Sequence, residues 1–340
     1  MAMPPLGEVS EEARLVTDAD ADDSPEGSGG RAIQGRSLRQ IAWARLKRDR
    51  VALVGGVGVL LLVLIAIFAP LIVGLLGHPP DAQFAHKLDP LTVMGAPGFW
   101  GNAGVSGEHL FGLEPETGRD VFSRVVYGAR VSLSVGFLGV LLSTLIGVTI
   151  GVAAGYFGGW FDAVVSRVMD LLLAFPQLLF AIALISVLPR EMWGLGGTSL
   201  RMGILVLIIG LFGWPYIGRI VRGQTISLRE REFIEAARSM GARSGYILFR
   251  ELLPNMVAPI LVYATLAIPT AILTEAALSF LGVGVQPPTA SWGQMLGDAT
   301  RFYSVDWSYM FFPGMALFLT VLAFNLFGDG LRDALDPKAH

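Results

Sequence analysis

The stretch "EAARSMGARSGYILFRELLPN" (Glu235–Asn255) is polar and arginine-rich, yet the chain around it is mostly Leu, Val, Ile, Ala and Phe. Together with its upstream flank, residues 224–242, it is rich in strong helix formers. Glu230, Arg231, Glu235 and Arg238 give that helix a polar side, and Phe233, Ile234, Ala237 and Met240 an apolar one. Gly241 then allows a sharp turn that a side chain would resist. A second helix resumes in "SGYILFRELLP", with Pro254 just before the next apolar run. The expected object is a short helix–turn–helix between two apolar segments. Its apolar side has no lipid beside it, so it calls for a partner with a groove.

The rest of the chain explains the setting. The 340 residues are 53% hydrophobic and only 16% charged, with a mean hydropathy of +0.59. A soluble domain is nearer a quarter charged. Six apolar segments, roughly 51–76, 131–156, 163–188, 202–221, 257–281 and 309–328, are each long enough to span a bilayer. The third carries Arg167 and Asp170 near its start, one helical turn apart and able to pair. The fold class expected is all-α and polytopic, with six transmembrane helices.

Orientation follows from the basic residues of the loops. Residues 31–50 carry seven bases, and six arginines lie between Arg222 and Arg250. Both segments are placed inside, with both termini. The loop 77–130, with four bases and six acids, is placed outside.

Residues 1–30 hold eight acids against the single base Arg14, and 1–36 reads as a disordered acidic tail. Residues 37–50 read as an amphipathic basic helix at the membrane surface or as a basic flank that fixes topology; the two are compatible. Residues 51–340 form the transmembrane domain, with the external loop 77–130 and the cytoplasmic loop 222–256.

Gly147, Gly151 and Gly155 make a small-residue stripe suited to close helix approach, either a general helix contact or a dimer face. Pro176, Pro215 and Pro269 lie within spans and predict bends. No cysteine is present, and His78, His86, His109 and His340 show no ligand spacing. They read as solvated loop histidines, and no metal site is expected.

A phosphate-binding loop G-x-x-x-x-G-K-[ST] is absent: the three lysines, Lys47, Lys87 and Lys338, never follow glycine. No catalytic Ser-His-Asp grouping can be argued. Two intramembrane polar residues stand out, Glu275 and Asn325. Glu275 could line a path, make a packing hydrogen bond or sit at the interface.

Glu235-Ala236-Ala237, then Gly241, then Leu253-Pro254 resemble the EAA loop of permease subunits of binding-protein-dependent ABC importers. Stretches 109–136, 275–296, 322–338 and 46–55 resemble the dipeptide/oligopeptide (peptide/nickel) members, closest to the C-type subunit. The resemblance covers about 39–340; "FGLEPET" (111–117) departs from it, because the family usually shows a Thr-Asp pair after the glycine.

The resemblance implies a type I ABC importer permease fold with a cytoplasmic coupling helix, in a bacterial cell membrane. It implies a coupling role for Glu235, Ala236, Ala237, Arg238, Met240, Gly241, Ala242, Leu253 and Pro254. The implied partners are a homologous B-type permease, two cytoplasmic ATPase subunits and an extracytoplasmic peptide-binding protein. The implied cargo is di- and oligopeptides, with ATP and Mg2+ bound only by the ATPases and no nucleic acid involved.

Import of nickel or another small solute is the nearest alternative. An ion-coupled secondary transporter would need inverted repeats and coupling carboxylates, and a membrane anchor would explain the docking loop but not the bent, glycine-striped spans.

Overall fold

The computed structural model describes residues 43–95, 104–188, 191–192 and 195–335; the acidic tail and residues 37–42 of the basic helix lie outside them. Trp43–Leu46 is helical, and Lys47 sits over the Trp43 ring at 5.1 Å. Asp49 then caps helix α1 (Arg50–Ile67), its carboxylate accepting from the N–H groups of Val51 at 2.8 Å and Ala52 at 3.1 Å. The apolar run 51–76 divides at Phe68, and α2 (Ala69–Leu76) restarts with Pro70 in its first turn.

The second span begins ten residues earlier than its apolar pattern suggests. Asp120 accepts from Ser123 N–H at 2.9 Å and so starts α3 (Val121–Phe157), 37 residues long. At ~1.5 Å per residue α3 measures about 55 Å, well beyond a hydrocarbon core of about 30 Å.

The third span is broken. α4 (Gly159–Ala174) and α5 (Gln177–Val187) meet at 84°. Pro176 forces this: the residue before a proline is driven out of the helical region, and Phe175 is extended at φ −80°, ψ 132°. A two-residue antiparallel pair, β1 (Glu191–Met192) and β2 (Leu195–Gly196), leads into α6 (Gly197–Arg229). The remaining helices are α7 (Glu232–Ser239), α8 (Ser244–Phe280), α9 (Trp292–Ala299) and α10 (Trp307–Leu335). Pro215 and Pro269 are carried inside unbroken α6 and α8. Among the described residues five helices are long and apolar enough to cross a membrane, and the bent α4–α5 pair makes a sixth when it counts as one span.

Glycine sets the closest approach. A Cβ at Gly147 would stand 2.9 Å from the Trp214 carbonyl, one at Gly151 2.6 Å from the Gly218 carbonyl, and one at Gly155 2.8 Å from the Arg222 carbonyl. The stripe read from the sequence is therefore consumed inside the chain, backbone to backbone against α6. It is not available as a dimer face. A second glycine contact, Gly330 against Ala52, joins α10 to α1. The outer surface is apolar, with Val54, Leu60, Leu145 and Phe318 all exposed, which suits lipid and not water.

Two local expectations differ from what is observed. Asp170 pairs with Arg219 on α6, not with Arg167 one turn away. His109 is buried, not solvated, and its Nδ1 lies 3.0 Å from Asp120 Oδ1. In the same 77–130 segment Glu114 is enclosed by Arg119, Thr117 and Tyr309, with Arg124 beyond. Charges inside a protein are kept only when paired in this way.

Candidate functional site

The helix–turn–helix expected between the fourth and fifth spans is present as α7, a turn, and the start of α8. α6 ends at Arg229, so residues 224–229 extend the span and α7 itself is eight residues long. Arg231 precedes it without a side-chain cap, and Glu232 and Glu235 occupy its first turn, where negative charge suits the helix dipole.

The turn closes by a two-bond reverse motif. Ala242 N–H donates to the Ala237 carbonyl at 3.0 Å, and Gly241 N–H to the Arg238 carbonyl at 2.9 Å. This pairing needs a left-handed residue between, and Gly241 supplies it at φ +81°. No neighbouring atom crowds Gly241, so its requirement is conformational alone.

The apolar side of α7 has two fates. Ile234, fully buried, and Ala237 pack against Val152, Ile217, Val221, Ile247, Leu252 and Met256, with Ala242 and Leu253 at the edge. Burying one such side chain is worth roughly 1.5–3 kcal/mol, so this contact seats the loop on the bundle. Phe233, 39% exposed, and Met240, 82% exposed, face outward with Tyr246 and Phe249. The expectation that the whole apolar side awaits a partner is thus corrected: half of it holds α7 to the bundle, and half stays free among described residues.

Glu235 and Ala236 are exposed, as is Pro254. No ion pair or capping bond within the described residues involves Glu235. Arg238 lies over the Tyr156 ring at 5.5 Å, and Arg229 donates to the Gly155 carbonyl at 2.9 Å. Both tie the loop to the end of α3. Sequence reading misses them, because nothing local pairs position 156 with 238. A π-helical turn, Ile247–Leu252, precedes Pro254, where an ordinary helical bond to the proline nitrogen cannot form. The arrangement joins a buried apolar anchor to an exposed apolar tip. Its chemistry is that of a seated knob, apolar at its tip and ringed with charge.

Glu275 and Asn325 do not share a surface. Glu275 is fully enclosed; Ser279 Oγ donates to its Oε1 at 2.7 Å, and Val285 N–H donates to Ser279 Oγ at 3.0 Å. α9 seals this site, since a Cβ at Gly293 would stand 2.2 Å from the Ala276 carbonyl. Asn325 is exposed on the face of α10 that also carries Phe318 and Leu322.

Comparison with known proteins gives the family. Residues 147–340 match the binding-protein-dependent transport system inner membrane component, and residues 37–90 match the N-terminal transmembrane domain of oligopeptide transport permease C. The chain is 44% identical over 298 residues to the dipeptide transport system permease protein DppC of Alkalihalophilus pseudofirmus, covering 87% of this chain and 89% of that one. It is 46% identical over 296 residues to the glutathione transport system permease protein GsiD of Salmonella paratyphi A, with the same coverage of 87% and 89%. Among solved structures, inward-facing MetNI methionine ABC transporter matches with a TM-score of 0.50 at 22% identity, over 63% of this chain and 97% of that one, a likeness of fold. More than half of the chain fits the family model, and it therefore belongs to the inner membrane components of binding-protein-dependent transport systems, as an ABC-importer permease of the oligopeptide C type.

Proposed function

We propose that this chain is the C-type permease subunit of an ATP-driven importer of short peptides, and that α7 is the lever through which cytoplasmic ATPases move it. The substrate class rests on the relatives, one a dipeptide and the other a glutathione permease. The single observation that carries the mechanism is the divided apolar side of α7. Ile234 and Ala237 fasten it to the spans, while Phe233 and Met240 project from it. A rigid element gripped on both sides transmits displacement, and a loose loop does not.

In this reading a homologous B-type permease completes the pathway, and ATP and Mg2+ are held by the two ATPase subunits. Closure of the ATPases pulls α7. Through the α7 seat, Arg238 and Arg229, the pull reaches α3 and α6, whose glycine contact moves as one body. A loaded binding protein then delivers peptide, and hydrolysis resets the gate. Both termini and the 222–256 loop face the cytoplasm.

The test is the assembled complex in liposomes with its binding protein. Met240→Asp and Phe233→Asp are expected to abolish binding-protein-stimulated ATPase and peptide uptake while the chain still inserts. Normal uptake in both variants overturns the lever assignment.

A further inference from the structure

The segment between α2 and α3 brings His78 to two further metal-type donors, the adjacent Glu108 and His109, about 30 residues on. One donor atom from each of His78, Glu108 and His109 lies within 4.8 Å of the others. The two imidazole rings are 4.6 Å apart between centroids and tilted by 34°.

The protonation of His109 follows from its partners. Its Nδ1 lies 3.0 Å from Asp120 Oδ1, and a carboxylate can only accept, so Nδ1 carries the proton. Lys87 Nζ stands 3.2 Å from Nε2, and an ammonium can only donate, so Nε2 presents a lone pair to it. A histidine held by a carboxylate at one nitrogen and free to donate electrons at the other is the usual arrangement around bound metals. His78 Nδ1 is buried and has no hydrogen-bond partner.

The place where an ion would sit already holds a cation. Lys87 Nζ lies 2.7 Å from Glu108 Oε2 as well as 3.2 Å from His109 Nε2. Two of the three donors, Glu108 and His109, thus already converge on positive charge. The ammonium reaches them on a four-carbon stem from the 3-10 turn Ala85–Lys87, and the Lys87 side chain is partly exposed.

We propose that His78, Glu108 and His109 form a site for a divalent transition-metal ion of the zinc class, in competition with the Lys87 ammonium. Two imidazoles and one carboxylate, leaving one position open, suit zinc and also nickel or copper. The site is built into the scaffold. Asp120, which orients His109, also caps α3 through Ser123 N–H and Ser123 Oγ at 2.7 Å. Ser123 Oγ in turn accepts from His78 N–H at 3.0 Å. A bound ion ties the end of α2 to the start of α3, and so the first span to the second.

The experiment uses the full chain in detergent, with any affinity tag removed, dialysed against Zn2+ and analysed for metal content and affinity. One ion per chain is expected for the wild type, with binding at least tenfold tighter in Lys87→Met. Asp120→Asn is expected to weaken binding by 10–100-fold, the usual effect of losing a supporting carboxylate. His78→Ala and Glu108→Gln, at partly exposed positions, should lose the ion while the thermal transition is kept; they decide the matter if His109→Ala does not fold. The proposal is overturned if neither wild type nor Lys87→Met retains stoichiometric zinc. It is equally overturned if His78→Ala combined with Glu108→Gln leaves binding unchanged, since the ion then sits elsewhere, as at His86 or His340.

Discussion

At the scale of the residue, Glu114 and Gly241 show how single positions carry distinct kinds of constraint. Burial pushes the Glu114 carboxyl up, but the charge of Arg124, hydrogen bonds from Thr117 and Tyr309, and the charge of Arg119 outweigh it and hold the group below the ordinary glutamate value. A depressed folded value means that the unfolded chain binds the proton first. Its contribution is full above the ordinary value and is lost as pH falls through the folded one. Asp298 has the opposite sign: burial and the Glu114 charge raise it, so its contribution is full below the ordinary aspartate value and is lost as pH rises from there through the raised folded one. Glu114→Gln should cost about 3–5 kcal/mol, because Arg119 and Arg124 are left without their buried anion. Thermal unfolding in detergent is expected to show a lower midpoint and a flatter acid limb than wild type. Gly241 is different, since only its backbone matters. Gly241→Val forces a side chain into left-handed geometry, at about 1–2 kcal/mol, and should uncouple ATPase from uptake. Gly241→Asn, which tolerates that geometry, should retain most activity. Equal loss in both variants would show that the turn is not the reason.

At the scale of the element, the α3–α6 contact and the α4–α5 break set the architecture. The stripe at Gly147, Gly151 and Gly155 meets backbone atoms of α6, which cannot rotate away as a side chain can. Gly151→Leu should therefore destabilise by at least about 1–3 kcal/mol, the usual cost of overpacking. Gly74→Leu, where a Cβ meets nothing within 4 Å, is the matched control. Similar melting midpoints for both variants would mean that the helices are not held at this distance. The broken third span is fastened differently. Asp162, just before the apolar run, accepts from Arg222, and Asp170, inside it, from Arg219, so both carboxylates link α4 to α6.

At the scale of the whole molecule, the absence of cysteine makes topology directly measurable. Leu91→Cys and Met240→Cys, both at highly exposed positions, should react with a membrane-impermeant maleimide from opposite sides of sealed vesicles. Labelling from one side would refute the six-crossing reading in which the bent pair counts as one span. Asn325→Cys should be labelled in the assembled transporter if its face borders an aqueous path, whereas enclosed Glu275 should not be reachable by the same substitution. The sequence by itself determined the number and rough place of the apolar segments, the glycine turn at Gly241 and the family, because hydropathy, backbone freedom and short motifs are local properties. Only the tertiary structure decided which partner the glycine stripe serves, which half of the α7 apolar side is consumed, where Asp170 finds its charge, and that His78, Glu108 and His109 meet. Those outcomes depend on segments tens of residues apart packing against each other, and local periodicity carries no information about which distant side chain will stand opposite.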